Sequence, residues 1–592
     1  MAFPVSPGVS VSEIDLTATT PAISTSVGAI AGVFKWGPAN TIVQISNETQ
    51  LAARFGNPDV NSAATFFTAA SFLSYANNLQ VARASLAGAK NATSNTTGVL
   101  INNHEDYINQ VYPLGPNPYD TWAASFPGSL GNSLQVIVWN GANWYADVHG
   151  TSATSQFAGA FPYAPGTSPY ITQKTGFTGS NDEIHIAVVD RLGYFTGVAN
   201  TVLERYTGLS VVSDCLAPDG SSSYFKNVIT QQSQYILTLG NPTDGSTGSA
   251  NWGKTVSQIT NTAIAAEATA NSAVLSGGVD GVCTTGNIEA AYGLFLNPQN
   301  TAISLLMTGD CGFSANAQGM TPSAGITQAV QNYAIQTIAA GRTDCMAFVS
   351  PPLANTQDVV TGQATSIASY ATNVLNTYSS YGVMDSGYKY MYDKYNDVYR
   401  WVPLNGDVAG LCAYTDQVRA PWWSPAGLTR GTIKNSIKLA FNPTKADRDT
   451  LYQAGVNPVV SFPGQGTILF GDKTLLNRPS AFDRINVRRL FIVMEQTISK
   501  AAQSSLFEFN DSFTRAQFVN LVTPFLRTVQ SQRGIYAYKV VCDTTNNTPQ
   551  VIDANQFVGS IYVQPARSVN FIQLNFIAVQ TGVSFTEVVG QF

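Results

Sequence analysis

Strand-type and helix-type segments alternate near the start of the chain, and this alternation constrains the fold more than any other feature. The apolar run Val27–Phe34 is typical of a buried strand, and it ends at the turn Trp36–Pro38. A short helix over Asn47–Phe55, with Asn47 as its N-cap, precedes a second helix over Asn61–Asn77 and a strand over Leu79–Ala84. Because parallel strands need crossover connections that are usually helical, the pattern predicts an α/β sheet.

The pattern changes between residues 88 and 180, where short β-prone runs such as Leu134–Trp139 lie among many Gly, Pro, Asn and Ser residues. We interpret this stretch as an inserted all-β domain. The run Glu183–Asp190 resumes the strand pattern of the α/β sheet, and helix-length segments follow at Ile264–Ser276, Thr321–Ala340 and Thr361–Tyr378. The α/β domain is therefore predicted to be discontinuous, formed by residues 27–87 and 181–430.

The C-terminal part, residues 431–580, is predicted to be a separate α+β domain. Its two amphipathic helices, over Arg484–Ala502 and Thr514–Gln532, each carry apolar residues on one face. Thr514 is the predicted N-cap of the second helix, Gly534 its C-terminal stop, and Pro524 predicts a kink. Strand-type runs follow the second helix, so the fold class is a multidomain α/β (α+β) protein.

Both ends of the chain are predicted to be extended arms, residues 1–26 and 581–592. Pro4, Pro7 and Pro21 disfavour a helix in the first of these segments. The apolar residues of an isolated extended arm lack a partner, so they are candidates for contact with another molecule. These residues are Val9, Val11 and Ile14 in the N-terminal arm and Val583, Phe585, Val588 and Val589 in the C-terminal arm.

Charged residues make up only 11% of the 592 residues, against roughly 25% in typical soluble domains. Uncharged polar surfaces lose water more readily than charged ones and suit extensive protein–protein contact. A β-rich extracellular or virion protein would have the same bias, so composition alone leaves both interpretations open.

The net charge of −6 does not suggest nucleic-acid binding, and its distribution is uneven. From Gly431 onward the chain has 15 Lys and Arg against 10 Asp and Glu, whereas the preceding residues have 15 against 26. An acidic partner for the C-terminal domain would explain this split, as would chance. No signal-peptide pattern and no run of about 18 apolar residues occur, so a cytosol-like compartment without a membrane span is expected.

Motifs for catalysis, cofactors or metals are weak, and we expect none of these sites. The segment Gly466–Thr474 (GTILFGDKT) nearly matches a phosphate-binding loop, but Asp472 separates Gly471 from Lys473 and would repel a phosphate. A strand followed by a turn is the favoured interpretation.

Other polar or aromatic groups have equally plain interpretations. The three histidines, His104, His149 and His185, lack metal-site spacing, and six scattered cysteines are expected to be buried free thiols. Leu275–Gly281 (LSGGVDG) is interpreted as a turn that needs positive φ, and Tyr388–Trp401 as a strand–turn–strand.

Several segments resemble one known family in their order along the chain. Gly471–Phe518, with its turn, Pro-bearing loop and two helices, closely resembles the C-terminal region of contractile tail sheath proteins of T4-like bacteriophages. The other similar segments are Phe3–Asp15, Thr20–Pro38, Asn47–Gly56, Phe126–Leu134 and Leu275–Gly281.

The resemblance implies a non-enzymatic structural subunit of a virion tail, assembled in the host cytoplasm. Such a subunit would polymerise helically around a tail tube and contract from a metastable extended state to drive the tube through the host envelope. The implied partners are other copies of the chain, the tail tube, and baseplate and tail terminator proteins, with no cofactor, nucleic acid or membrane. In the family the arms add strands to neighbouring subunits, which would employ the seven apolar arm residues named above.

The net-basic C-terminal domain is a candidate for contact with an acidic tail tube. The candidate residues are Lys500, Arg515, Arg527 and Arg533, although salt bridges within the domain are an alternative for each. Two alternative functions stay open. One is a sheath of a phage-tail-like injection or secretion system, and the other is a virion protein that binds or degrades carbohydrate through the aromatic run Tyr388–Trp401.

Overall fold

A computed structural model describes residues 24–95, 97–111, 121–176, 178–240, 252–259, 271–311, 313–316, 319–322, 324–357, 362–570 and Gln573. The chain forms two compact units. The first unit comprises Pro21–Pro421 and Pro425–Lys500, and the second unit comprises Trp422–Ser424 and the residues from Ala501 onward.

A seven-stranded sheet forms the centre of the first unit. Its strand order is Val456–Asn457, Gly382–Asp385, Met346–Val349, Leu305–Met307, Gly28–Gly32, Leu79–Arg83 and Ile42–Ile45. Neighbouring strands are parallel except for the last pair, which is antiparallel. Side chains alternate between the two faces, so Ala29 and Ala31 enter one hydrophobic core while Ile30 enters the other. The predicted α/β sheet is confirmed.

Helices cover both faces of this sheet, as the two cores require. One core includes residues of the helices Glu48–Phe55, Ala63–Leu73, Asn405–Val418 and Ile485–Ala502. The other includes residues of Thr285–Gly293, of Ala324–Asn332 with its continuation Tyr333–Arg342, of Gln363–Ser369 with its continuation Tyr370–Leu375, and of Lys445–Gln453. The predicted N-cap is confirmed, because Asn47 Oδ1 accepts a 2.8 Å hydrogen bond from the Gln50 amide.

A four-stranded antiparallel sheet forms the insertion. Its order is Thr201–Ser210, Glu183–Asp190, Leu134–Trp139 and Asn271–Val274, and a two-stranded sheet of Trp122–Ala124 and Ile236–Thr238 lies in the same region of the chain. This part of the chain also has helices at Gly141–Val148, Ser155–Ala158, Pro169–Thr175 and Phe225–Gln232. The insertion is therefore not built of strands alone, and the all-β expectation is wrong in this respect.

The insertion also continues further along the chain than residue 180. Glu183–Asp190 pairs with Leu134–Trp139 and Thr201–Ser210, so the expectation that it resumes the α/β sheet is wrong. Part of the predicted helical segment Ile264–Ser276 is the strand Asn271–Val274, and residues 264–270 lie outside the described residues. At the other boundary, Val456–Asn457 joins the seven-stranded sheet although it lies beyond residue 430.

Smaller sheets complete the first unit. They are a three-stranded sheet of Tyr388–Asp393, Val398–Pro403 and Lys438–Leu439, a hairpin of Val459–Phe462 and Gly466–Leu469, and a hairpin of Phe313–Asn316 and Gly319–Pro322.

The second unit contains the long helix Ser512–Ser531, the short helix Pro549–Asp553, and an antiparallel ribbon of Ile535–Val541 and Ser560–Pro565. The N-cap of the long helix is Asp511, whose side chain accepts from the Thr514 amide at 2.8 Å, so the prediction that Thr514 is the N-cap is wrong. Asp511 lies three residues earlier and supplies the carboxylate acceptor that the first turn requires. The helix continues through Pro524, and the kink stays a prediction.

Candidate assembly surfaces

The predicted arm residues fall largely outside the described part of the chain. Val9, Val11 and Ile14 precede residue 24, and Val583, Phe585, Val588 and Val589 follow residue 573. Of the predicted N-terminal arm, only Ser24–Ser26 is described. The role of the seven apolar arm residues in contact between subunits stays a prediction.

Ser24–Ser26 form the root of the N-terminal arm, and polar contacts hold these three residues on the first unit. The Thr25 hydroxyl donates to Asp416 Oδ2 at 2.7 Å. Arg489 Nη2 donates to the Thr25 carbonyl oxygen at 3.2 Å, and the Ser304 hydroxyl donates to the Ser24 carbonyl oxygen at 3.0 Å. The contacts come from three parts of the sequence, and two residues after Ser26 the central strand Gly28–Gly32 begins.

The two charged partners of Thr25 form a bidentate ion pair. Arg489 Nη1 and Nη2 donate to the Asp416 oxygens Oδ1 and Oδ2 at 2.8 and 2.6 Å, and the two side chains are 5% and 7% exposed. Burial alone would lower the pKa of Arg489, but the Asp416 charge outweighs it and raises that pKa. The Arg489 guanidinium therefore stays charged, and hydrogen bonds that it donates to a carboxylate are strong.

Sequence reasoning missed this pair, although a signal was present. Arg489 lies four residues before Val493, on the apolar face of the helix Ile485–Ala502. A cation on an apolar face needs an acidic partner when the helix packs.

The antiparallel ribbon of the second unit offers open strand edges. Ile535–Val541 and Ser560–Pro565 pair with one another and, among the described residues, with no third strand. The ribbon is also exposed, with Tyr536 and Tyr562 at 63% and 62% of their full accessibility. Unpaired backbone groups at such edges accept an added strand readily.

Exposed apolar side chains concentrate in the same unit, in the segment before and at the start of the long helix. Leu506, Phe507, Phe509 and Phe513 are 63%, 105%, 85% and 74% exposed. Phe507 also has a φ of +69°, a costly backbone conformation for a residue with a side chain. Clusters of exposed apolar side chains often mark sites of protein–protein interaction.

The four candidate cations do not share one environment. Lys500, Arg527 and Arg533 are exposed. Arg515 is 9% exposed and its Nη1 donates to Asn510 Oδ1, so this residue is a poor candidate for contact with a partner. Arg533 has a φ of +66° at the C-terminal end of the long helix, where Gly534 N donates to the Val529 carbonyl at 2.9 Å.

The insertion joins the seven-stranded sheet at a buried arginine. Arg83, at the end of a sheet strand, donates from Nε to the Phe34 carbonyl at 3.0 Å and from Nη1 to the Gly37 carbonyl at 2.7 Å. Its Nη2 donates to the Pro127 carbonyl at 2.6 Å. Burial lowers the pKa of Arg83 to about 10, while Asp280 acts in the opposite direction. The guanidinium thus ties the turn after the first strand to the start of the insertion.

Two of the family-like segments meet at the same junction. The Asn132 side chain bonds to both backbone groups of Gly278, at 2.8 and 3.0 Å. Asp280 accepts from the Ser129 amide and hydroxyl, both at 2.7 Å. Gly277 and Gly281 have φ values of +77° and +82°, which confirms the interpretation of Leu275–Gly281 as a turn needing positive φ.

The phosphate-loop-like segment has a structural role, as expected. Gly466–Leu469 is a hairpin strand, and Asp472 accepts from Arg484 Nη1 at 3.0 Å. Lys473 Nζ donates to the Tyr452 carbonyl at 2.7 Å. Both charges are therefore engaged within the protein.

The remaining motifs are also explained by packing. His185 is buried between the Tyr163 carbonyl and the Gly208 amide, and burial lowers its pKa. Tyr388–Asp393 and Val398–Pro403 form the expected strand–turn–strand. All six cysteines are buried free thiols, as predicted. Within the described residues, no cluster of three or more His, Cys, Asp or Glu is arranged to hold a metal, and no helix is long and apolar enough for a membrane span.

Comparison with known proteins matches this chain to one family. Three family models match: phage tail sheath protein central domain over residues 317–475, phage tail sheath C-terminal domain over residues 477–578, and tail sheath protein Gp18 domain III N-terminal region over residues 25–84. The tail sheath protein of Vibrio phage KVP40 is 34% identical, over 99% of this chain and 100% of that protein. The tail sheath protein of Enterobacteria phage T4 is 33% identical, over 99% of each.

The chain therefore belongs to the phage tail sheath protein family, whose members are structural components of the virion tail. Among solved structures, the sheath tail protein of Listeria innocua matches with a TM-score of 0.49 and 11% identity, covering 93% of this chain and 97% of that chain. The contracted helical sheath of the anti-feeding prophage matches with a TM-score of 0.47 and 13% identity, covering 97% and 99%.

Proposed function

We propose that this chain is the subunit of a contractile tail sheath whose copies are linked by exchanged arms. The observation that carries the proposal is the exposed ribbon Ile535–Val541 and Ser560–Pro565, which has open edges among the described residues. An arm from another copy would add a strand there, pairing backbone groups on both sides. The apolar arm residues Val9, Val11, Val583 and Phe585 would then be buried against the sheet and its neighbours.

Each chain would carry both an arm that donates a strand and a ribbon edge that accepts one. Each added copy would therefore expose a new ribbon edge. A head-to-tail contact of this kind continues into a helical polymer unless its geometry closes it into a ring. The exposed aromatic segment Leu506–Phe513 supplies further apolar area that such an assembly would cover. Polymerisation around a tail tube, within the host cytoplasm, would give the virion tail its outer layer.

Contraction would exchange one packing of subunits for another of lower free energy while the arms keep them linked. No nucleotide is needed if the energy is stored at assembly. The baseplate would supply the trigger, and the terminator protein would cap the polymer. The insertion would face outward, away from the tube.

Removing Met1–Ile23 tests the arm-exchange proposal and keeps the anchored residues Ser24–Ser26. We expect a folded monomer with an unchanged melting temperature that forms no tubes in electron micrographs. Removing Thr581–Phe592 should have the same effect. Normal tubes from either truncated protein would contradict the arm-exchange proposal.

Lys500, Arg527 and Arg533 are the proposed contacts with an acidic tail tube, and the buried Arg515 is left out of the set. Reversing the charge of the three residues to Glu should weaken binding to purified tubes, and more so at low salt because surface charges are screened by salt. Unchanged assembly around the tube would exclude this contact.

A further inference from the structure

The root of the N-terminal arm is held by charged side chains of two helices that are far apart in sequence. Asp416 belongs to the helix Asn405–Val418 and Arg489 to the helix Ile485–Ala502. Asp416 accepts a hydrogen bond from the Thr25 hydroxyl, and Arg489 donates one to the Thr25 carbonyl oxygen. A side-chain acceptor and a side-chain donor thus bind the same residue.

Further hydrogen bonds constrain the course of residues 24–27. The Ser304 and Leu305 amides both donate to the Val27 carbonyl, at 2.9 and 3.1 Å, and the Ser304 hydroxyl donates to the Ser24 carbonyl. Residues 24–27 therefore follow the start of the neighbouring strand Leu305–Met307. Among the described residues, Thr25 is the residue of the arm root that contacts side chains of both helices.

We infer that the Arg489–Asp416 pair is a positioning site for arm exchange, which fixes where and in what direction the N-terminal arm leaves the first unit. This inference rests on the proposed function. With the root fixed, the arm is restricted to a narrower set of positions from which it reaches the neighbouring copy. With the root free, the arm samples many more directions and the effective concentration of its strand at the acceptor falls.

The same site would transmit force during contraction. A pull on the arm would act on Thr25 and pass to two helices that cover the seven-stranded sheet, in addition to the strand Gly28–Gly32. Strong charge-assisted hydrogen bonds suit this role because they are short and directional.

The test compares full-length variants by melting temperature and by the rate of tube formation. Asp416→Asn keeps the size of the side chain but removes the charge that holds Arg489 and Thr25. We expect tube formation to slow by about tenfold or more at a temperature where the variant is fully folded. Thr25→Val leaves the ion pair intact and removes only the hydroxyl contact, so it serves if Asp416→Asn does not fold, with about a tenfold slowing expected.

A matched control separates positioning from general stability. Asp344→Asn breaks the Arg342–Asp344 pair of the same unit, in which Arg342 is fully buried and holds the Phe295 carbonyl rather than the arm. This control should lower the melting temperature and leave the assembly rate of the folded protein unchanged. Equal slowing in the control and in Asp416→Asn would overturn the inference.

A charge-swapped double variant, Asp416→Arg with Arg489→Asp, sharpens the distinction. It restores an ion pair between the two helices but places a carboxylate beside the Thr25 carbonyl. If the pair is purely structural, the double variant should regain both the melting temperature and the rate of tube formation of the unmodified protein. If the pair is a positioning site, the double variant should regain the melting temperature but not the rate of tube formation.

The outcomes also separate this inference from the proposed function. If the protein without Met1–Ile23 forms normal tubes, arm exchange itself is wrong. If that truncation blocks tubes while Asp416→Asn and Thr25→Val assemble at the normal rate, only the positioning inference is wrong.

Discussion

The indole ring of Trp36 lies edge-on against the phenyl ring of Phe126, with 5.3 Å between the ring centroids and 81° between the planes. Trp36 belongs to the turn after the first strand of the seven-stranded sheet, and Phe126 belongs to the insertion. The Arg83 guanidinium binds carbonyl oxygens on both sides of the same junction. The insertion is therefore attached to the sheet by a shared core and by buried hydrogen bonds, in addition to its chain connections.

Replacing Trp36 with Ala should destabilise this junction. The side chain is 3% exposed and contacts the rings of both Phe126 and Phe195. Loss of a buried aromatic ring costs about 3–5 kcal/mol, which should lower the melting temperature and expose the insertion to proteases. Tyr194→Ala is the control, because Tyr194 is 56% exposed and should change stability by about 0.5 kcal/mol or less. Equal effects of the two substitutions would show that Trp36 does not hold the junction.

The elements that the sequence predicted well are those determined by local pattern. Gly28–Gly32 is a continuous run of buried small and apolar residues, Leu79–Arg83 is largely buried, and Asn47 caps its helix through its own side chain. The two C-terminal helices were likewise evident from periodicity. In each case, the residues that determine the structure lie within one short segment.

Apart from the N-cap of the long helix, which is Asp511 rather than Thr514, the predictions that failed depended on contacts between distant segments. Glu183–Asp190 is a strand, as its pattern indicates, but a pattern does not specify which sheet the strand joins. Arg515, a candidate for contact with the tail tube, is instead 9% exposed and donates to Asn510 Oδ1. Arg489 and Asp416 are 73 residues apart, and only the folded chain brings them together at the arm root.

Stability should depend on pH through the buried carboxyl of Asp385. Burial raises its pKa to about 8, while hydrogen bonds from Ser350 and the Gly387 amide act in the opposite direction. The folded state therefore holds a proton that the unfolded chain releases near pH 4, so stability falls as pH rises from about 4 to about 8. Asp385→Asn should weaken this dependence, which melting temperatures between pH 5 and pH 8 would show. An unchanged slope would contradict the assignment.

Phe507→Gly should separate folding from assembly. The Phe507 side chain is fully exposed and its φ is +69°, a conformation that costs a residue with a side chain about 1–2 kcal/mol. Glycine removes that cost, so the melting temperature of the monomer should hold or rise. If the aromatic segment is covered in the tube, assembly should nevertheless slow. Tyr194→Ser, an exposed aromatic substitution in the insertion, is the control for general surface effects, and tube formation as fast as in the unmodified protein would contradict this use of Phe507.

The same substitution should have opposite effects at two neighbouring arginines of the second unit. Arg533 has a φ of +66° just after the long helix, where the Gly534 amide closes the helix end onto Val529. Glycine is favoured at this left-handed position, so Arg533→Gly should stabilise the unit by about 0.5–1 kcal/mol.

Arg527 is exposed within the helix itself, where glycine costs about 1 kcal/mol, so Arg527→Gly should destabilise by that amount. Thermal unfolding of the two variants measures the contrast, and a loss of stability in Arg533→Gly would contradict the backbone argument. Each variant removes one exposed cation, so weaker tube binding in both variants would reflect the loss of charge. Because their melting temperatures should change in opposite directions, instability could not explain weaker binding in both.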